Sequence, residues 1–452
     1  MTLYYSTNRR VPDVDLGDAL WQGQAGDKGL YLPREIPKFD LEFLKRASEM
    51  SYSEMATRIL TPYTKNVFSE GDLRKICEAA YTFDVPLERV SGSRYLMRLD
   101  QGPTASFKDF AARFMGQALG KLVKERGKEL LILTATSGDT GSAIADAFYG
   151  VPGIKVVVLF PVNEVSHRQR RQMTTLGGNI TTLAMDGKFD HCQALVKEAF
   201  ADPDMKDLNL SSANSINIGR LLPQSVYYVY AASRLVDIAR GEKILFSVPC
   251  GNFGDLMGGI LASRMGIPIQ NFVVATNANN EVPIFLKTSK YSKIEPSLQC
   301  ISNAMNVGHP SNLARLVDLY GGWMDEKGNL LEMPDIDGMR RDFVGISVSD
   351  EETRRTIKEI FDTFGTMIEP HGAVGWSGLM SFIKERPDLA DITAVSLETA
   401  HPAKFPEEIE ALTGKDPDLP PSLMGLDDKE ESTHEMTIDY RVFKNYLQDT
   451  FR

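Results

Sequence analysis

Lys108 stands between two phenylalanines in "GPTASFKDF" (102–110), where a glycine, a proline and small residues lead into a helical pattern. Phe107, Phe110, Ala111, Phe114, Met115, Ala118 and Leu122 recur at three- and four-residue steps, the spacing of one buried helical face. Ser106 followed by Asp109 has capping-box spacing, which places Lys108 in the first helical turn. Apolar flanks and the positive end of a helix dipole both disfavour an ammonium there. An ordinary lysine is neutral in about one molecule in a few thousand at pH 7, and bringing it near neutrality takes about 4 kcal/mol of selective disfavour for the charge. An amine so tuned forms a Schiff base with an aldehyde and then serves as general base or acid. The structural alternative is an exposed lysine in a well-capped turn.

Three small-residue loops carry a second chemistry: "TSGDTG" (136–141), "PCGNFGD" (249–255) and "LETAHP" (397–402). Each follows a strand pattern, so glycines and a helix N-terminus would turn backbone N–H groups on one point and cradle an anion. None is a dinucleotide fingerprint or a P-loop. A fourth segment, "SSANSINIGR" (211–220), offers Asn214, Ser215, Asn217 and Arg220 within seven residues. Arginine suits bidentate contact with phosphate, although an N-capping cluster beside a solvated arginine has the same composition. The chain therefore presents two separable candidate anion sites, around 251–255 and around 214–220.

The elements that position these loops alternate. Strand patterns at 129–136, 154–160, 180–186, 243–248, 271–277 and 392–398 are interleaved with helices, which implies mostly parallel sheets covered on both faces. A long helix is expected from near Ile216 towards Ile238, and Ser349 with Glu352 reads as a capping box. Residues 1–95 read as a mainly helical module, 96–240 and 241–426 as two α/β domains, and 427–452 as a C-terminal docking tail. The polar, turn-rich stretch 287–345 reads as an insertion in the second domain.

At 452 residues the chain can bury a large core, and its net charge of −11 argues against nucleic acid or an anionic membrane as partner. Cys77, Cys192, Cys250 and Cys300 show no metal spacing, and no metal is expected. Without an apolar leader or a membrane-length run, a cytoplasmic location is expected.

"GPTASFKDFAARFMG", "TATSGDTGSAIADAFYG", "NSINIGRLLPQ", "VPCGNFGDLMGG", "SNAMNVGHPSN" and "TAHPAKF" occur in this order, after "QGQAGDKGLYLP" near the N-terminus. Together they resemble the threonine synthase family, of the longer bacterial and fungal type. The resemblance implies an α/β fold with two parallel-sheet domains of the fold-type II pyridoxal-phosphate architecture, like the tryptophan synthase β chain, plus an extra N-terminal module. It implies pyridoxal 5'-phosphate as cofactor, held covalently by Lys108, with Gly251, Asn252, Phe253, Gly254 and Asp255 cradling its phosphate. It places the Thr399 hydroxyl at the pyridine nitrogen and Ser137, Asp139 and Thr140 near the ring and the substrate carboxylate. Asn214, Ser215, Asn217 and Arg220 would bind the substrate phosphate.

The reaction implied is O-phospho-L-homoserine plus water giving L-threonine and phosphate, catalysed by a monomer or homodimer. A phospho-lyase giving 2-oxobutanoate, or a non-catalytic ligand-binding relative, would carry the same motifs. Sister dehydratases have asparagine where Asp139 stands. An aspartate facing the cofactor's phenolic oxygen must be protonated or aimed elsewhere.

Overall fold

The computed structural model describes residues 2–136 and 138–452. The N-terminal region holds the helices Leu16–Gln22, Leu41–Arg46, Tyr52–Thr64 and Glu70–Ala80 and an antiparallel ribbon of Tyr4–Ser6 with Tyr31–Pro33. Ser51 and Ser69 cap two of these helices through their hydroxyls, and apolar faces such as Met55, Ile59 and Leu60 enter the main core.

Two sheets follow. One has five parallel strands in the order His434–Met436, Ile180–Met185, Ile154–Pro161, Leu130–Ala135 and Leu210–Ser212. The other has six, ordered Phe343–Ser347, Ile269–Thr276, Ile244–Pro249, Thr393–Glu398, Arg94–Arg98 and Leu87–Ser91, with only the last antiparallel to its neighbour. The central strands Leu130–Ala135 and Ile244–Pro249 are buried along their whole length, as parallel strands covered on both faces must be. The α/β class with two largely parallel sheets and an added N-terminal module is thus the architecture observed.

Several local expectations are corrected. The helix expected from Ile216 towards Ile238 is a short 3-10 turn, Ile218–Arg220, and then a helix limited to Ser225–Leu235. Pro223 lacks the N–H that a continuous helix would need there. The stretch read as an insertion ends in a working strand, since Phe343–Ser347 forms an edge of the six-stranded sheet. Arg94–Arg98 pairs with Thr393–Glu398, so that sheet also begins inside the region read as N-terminal. The tail docks by a strand and a helix, with Phe443 and Leu447 of Tyr440–Phe451 packed beside Cys192 and Leu195. The Ser349–Glu352 capping box is present with both of its hydrogen bonds. Among the described residues, no helix is long and apolar enough to cross a membrane.

Candidate active site

A cleft opens where Leu130–Ala135, Ile244–Pro249 and Thr393–Glu398 end, the place where open parallel sheets receive ligands. Backbone pairing brings Lys108 there. The Phe107 N–H donates to the Thr399 carbonyl (2.9 Å), the His401 N–H donates to the Ala105 carbonyl (3.0 Å), and Ser106 bridges Ala400. Lys108 is the first residue of the helix Lys108–Arg126, so its first-turn position holds. The expected capping box does not form. The Ser106 hydroxyl is buried without a partner, while Asp109 accepts from Thr104 N (2.9 Å) and Oγ1 (2.5 Å). Ser106 is committed to the bridge with Ala400, and Asp109 closes the turn before it instead.

The Lys108 side chain is 11% exposed and its Nζ lies 3.6 Å from Asp139 Oδ2. Burial pushes its pKa below the ordinary lysine value; Asp139 opposes this, and Lys404 and Arg220 reinforce it. Asp139 is aimed elsewhere, at Lys404. Its Oδ1 lies 2.7 Å from Lys404 Nζ and accepts from Gln169 Nε2 (2.9 Å). Burial alone would raise the Asp139 pKa, but Lys404, Lys108 and His371 override it and hold the carboxyl well below the usual carboxylate range.

The loop after Ile244–Pro249 has the form of a cradle. A side chain at Gly251 would press on the Ala304 carbonyl (2.8 Å) and Met305 Cα (2.9 Å), and Phe253 takes the left-handed φ of 61° before the helix Gly254–Met265 begins. The side chains of the loop are already engaged. Asn252 donates to Ser215 Oγ (2.6 Å) and accepts from Ser311 N (2.5 Å). Asp255 Oδ1 accepts from the Tyr227 and Tyr228 hydroxyls at 2.5 and 2.8 Å. Burial pushes Asp255 up to about 6, against the pull of those hydroxyls and Lys108. That leaves the backbone of 251–254 and the helix N-terminus as the groups of this loop available to an anion.

The two anion sites expected to be separable share a wall, because Ser215 is bonded to Asn252 and the Asn312 amide donates to the Asn252 carbonyl (2.9 Å). Asn214 donates to the Ala135 carbonyl (2.9 Å), and its buried Oδ1 has no partner among the described residues. Asn217 does not reach the cleft. Its amide donates to the Leu20 and Ser212 carbonyls and accepts from Gly219 N, so it pins the segment to the N-terminal module. Arg220 is 2% exposed and lines the cleft. One nitrogen donates to the Ala213 carbonyl (2.8 Å), the buried Nε has no partner among the described residues, and burial lowers its pKa to about 10. Thr140 and Thr399 line the cleft; Ser137 lies outside the described residues.

Other residues shaping the site carried no sequence signal beyond their motifs. Lys404, in "TAHPAKF", is fully buried and also donates to the Thr104 carbonyl (2.8 Å). His371 lines the cleft, with Nδ1 hydrogen-bonded to Glu369 and Nε2 accepting from Ala304 N (3.0 Å). Glu369 Oε1 also faces the Thr399 hydroxyl at 3.5 Å. Arg315, 0% exposed, donates to the Tyr31, Ser215 and Ile216 carbonyls and fixes the 214–216 backbone from beneath.

The donor set suits a phosphorylated aldehyde. An amine with depressed basicity, a glycine-lined cradle at a helix N-terminus and a buried guanidinium with an unpartnered Nε all line one cleft.

Comparison with known proteins agrees. The family model of pyridoxal-phosphate dependent enzymes matches residues 83–395, that of the threonine synthase N terminus residues 3–81, and that of the threonine synthase C-terminal region residues 372–447. The threonine synthase of Serratia marcescens is 39% identical over 420 residues, 93% of this chain and 92% of that one. That of Haemophilus influenzae is 39% identical over 445 residues, covering 98% and 99%. A crystal structure of pyridoxal-phosphate-bound threonine synthase from Brucella melitensis superposes with a TM-score of 0.91 at 34% identity, covering 100% of both chains. The yeast threonine synthase structure gives 0.88 at 30% identity, covering 99% of this chain and 98% of that one.

Proposed function

Because the chain belongs to the threonine synthases, enzymes that use pyridoxal 5'-phosphate, we infer that its substrate is O-phospho-L-homoserine and that the residues above divide the work as follows. Lys108 would hold the cofactor covalently, the backbone of Gly251, Asn252, Phe253 and Gly254 would receive its phosphate, and the Thr399 hydroxyl would serve its ring nitrogen. When bound, the cofactor supplies an electron sink that acidifies the C–H bonds beside the substrate amine.

The protein's share is proton handling and charge placement. Lys108, depressed in basicity by burial, accepts a proton from the α-carbon and returns protons later in the cycle. Arg220, with Asn214 and Ser215, binds the γ-phosphate and stabilises the charge that grows on it as it leaves. Its Nε, buried and without a partner among the described residues, is a donor that the fold leaves unspent. Asp139 has one oxygen engaged by Lys404 and Gln169, which would neutralise its charge beside a bound cofactor. Asp255 acts beneath the cradle through Tyr227 and Tyr228 rather than on the phosphate itself. Phe107, Phe189, Met305 and Val307 provide the apolar part of the lining and limit water at the reacting carbons.

One observation carries this reading. An amine of lowered basicity and a buried, incompletely bonded guanidinium line the same cleft, which a substrate bearing both an amine and a phosphate requires. The test is product analysis of the cofactor-loaded chain with O-phospho-L-homoserine. Threonine and phosphate should appear in equal amounts, and 2-oxobutanoate as the main product would overturn the assignment. Lys108→Ala should lose both turnover and the borohydride-reducible yellow chromophore.

A further inference from the structure

Lys404 is a buried cation behind the cleft wall, against Asp139, that the mechanism above leaves without a task toward Lys108. It is fully buried, its ammonium lies 2.7 Å from Asp139 Oδ1, and it is tied to the Thr104 carbonyl at 2.8 Å. Lys108 approaches the other oxygen of the same carboxylate at 3.6 Å. Two lysines thus share one buried anion, and the closer contact belongs to the lysine without a catalytic role.

We infer that Lys404 is a positioning residue: by acting as the counter-ion of Asp139, it frees Lys108 from that duty and leaves its amine available as a nucleophile. The inference rests on Lys108 being the cofactor lysine and goes beyond it by naming what keeps that amine reactive. A carboxylate buried to 2% exposure holds a cation beside it if one is in reach. Without Lys404, the ammonium left near Asp139 among the described residues is that of Lys108.

The chemistry makes the difference measurable. Lys108 forms its bond to the cofactor's aldehyde carbon with the lone pair of its nitrogen, and the aldehyde oxygen leaves as water with two protons from that nitrogen. No oxidant or reductant is involved. An ammonium has no lone pair and must lose a proton first, so the pH at which the bond forms reports the state of Lys108. The groups facing Lys108 are Asp139 from the helix Asp139–Phe148, Lys404 from the turn Pro402–Lys404, Arg220 from Ile218–Arg220, Glu369 before the helix Pro370–Glu385, and Asp255 from Gly254–Met265. His371 acts on Asp139 from the same helix that Glu369 caps. Among them Lys404 and Arg220 favour the neutral amine, and Asp139, Glu369 and Asp255 oppose it.

The experiment uses the full-length chain, stripped of cofactor with hydroxylamine and reloaded with pyridoxal phosphate, following regain of the yellow chromophore against pH. Lys404→Met should move the midpoint of the rate upward by at least one pH unit, about tenfold slower reloading at pH 7. Asp139→Asn combined with Lys404→Met should return the midpoint close to the wild-type position, because the carboxylate that approaches Lys108 at 3.6 Å is then gone together with its counter-ion. An unmoved midpoint in Lys404→Met with a native circular-dichroism spectrum overturns the inference. If that variant does not fold, the double variant decides. Folded with a wild-type midpoint it supports the inference, while a raised midpoint or failure to fold overturns it. Lys108→Ala separates the two layers: a variant that still becomes yellow and borohydride-reducible sinks the role of Lys108 itself, not that of Lys404.

Discussion

Replacing Arg220 with methionine should stabilise the fold while disabling substrate binding. Arg220 is 2% exposed, and among the described residues its side chain makes one hydrogen bond, to the Ala213 carbonyl at 2.8 Å. Burial brings its pKa down to about 10, more than two pH units below the ordinary value, so keeping it charged at neutral pH costs roughly 3 kcal/mol of folding stability. The sign is that of a base whose charged form is disfavoured in the folded state; at pH 7 it is protonated in both states and the full cost applies. Losing the hydrogen bond to Ala213 takes back about 1 kcal/mol. Methionine is unbranched and flexible enough to fill the channel. The net expectation is a gain of about 1–2 kcal/mol, a rise of a few degrees in Tm for a chain of this size.

The assay is thermal unfolding of the cofactor-loaded chain with and without inorganic phosphate, alongside steady-state turnover. Phosphate stabilises wild type by mass action at the substrate site, and that increment should vanish in the variant while turnover collapses. A variant that melts below wild type and keeps the full phosphate increment would refute the reasoning. Arg220 would then be a structural cation rather than one held in reserve for an anion.

Two further substitutions test neighbouring parts of the site. Gly251→Ala should weaken cofactor retention at least tenfold in equilibrium dialysis with little change in circular dichroism, since the added methyl meets the backbone of Ala304 and Met305 and displaces the cradle; unchanged retention would show that the loop tolerates a shift. Asp255→Asn should gain stability relative to wild type by about 2 kcal/mol between pH 4 and pH 8, because a carboxyl raised to about 6 contributes stability at low pH that is lost as pH rises through that value. A difference in urea midpoints that stays flat over this range would show that Asp255 does not titrate there.

The pattern of legibility follows which forces act locally. The lysine helix was readable because its apolar face repeats over several turns, and Lys108 does stand at its start. Its cap was not, since the partner that draws Ser106 away is Ala400, far along the chain. The Ser349–Glu352 box, solvent-exposed and free of tertiary competition, formed as its spacing implies. Asn214, Ser215, Asn217 and Arg220 read alike as donors, yet the structure sorts them by where long-range carbonyls fall. Leu20 claims the Asn217 amide, and Arg220 is left with an unspent Nε. Arg315 had no local signature at all. Its partners are carbonyls from Tyr31 and from Ser215 and Ile216, which only the assembled fold brings together.

That sorting explains how a chain with net charge −11 can gather phosphates. The overall field opposes an anionic substrate, so attraction must come from charges whose neutralising partners are withheld. Arg315 spends its hydrogen bonds on carbonyl oxygens and an amide, and Arg220 gives one to a carbonyl and keeps Nε. The acids nearby are handled in the opposite sense. Asp139 is paired with Lys404, and burial favours the neutral form of Asp255 and, with Glu369 beside it, of Glu398. The buried, under-partnered guanidinium groups and the acids held neutral cost folding stability, and together they raise the local positive potential in a region of low dielectric, where one unpaired cation counts for more than many solvated carboxylates on the surface. The affinity for a phosphorylated substrate is therefore set by how the fold partners its buried charges, and a surface variant that makes the net charge less negative should change it far less than any one of these buried substitutions.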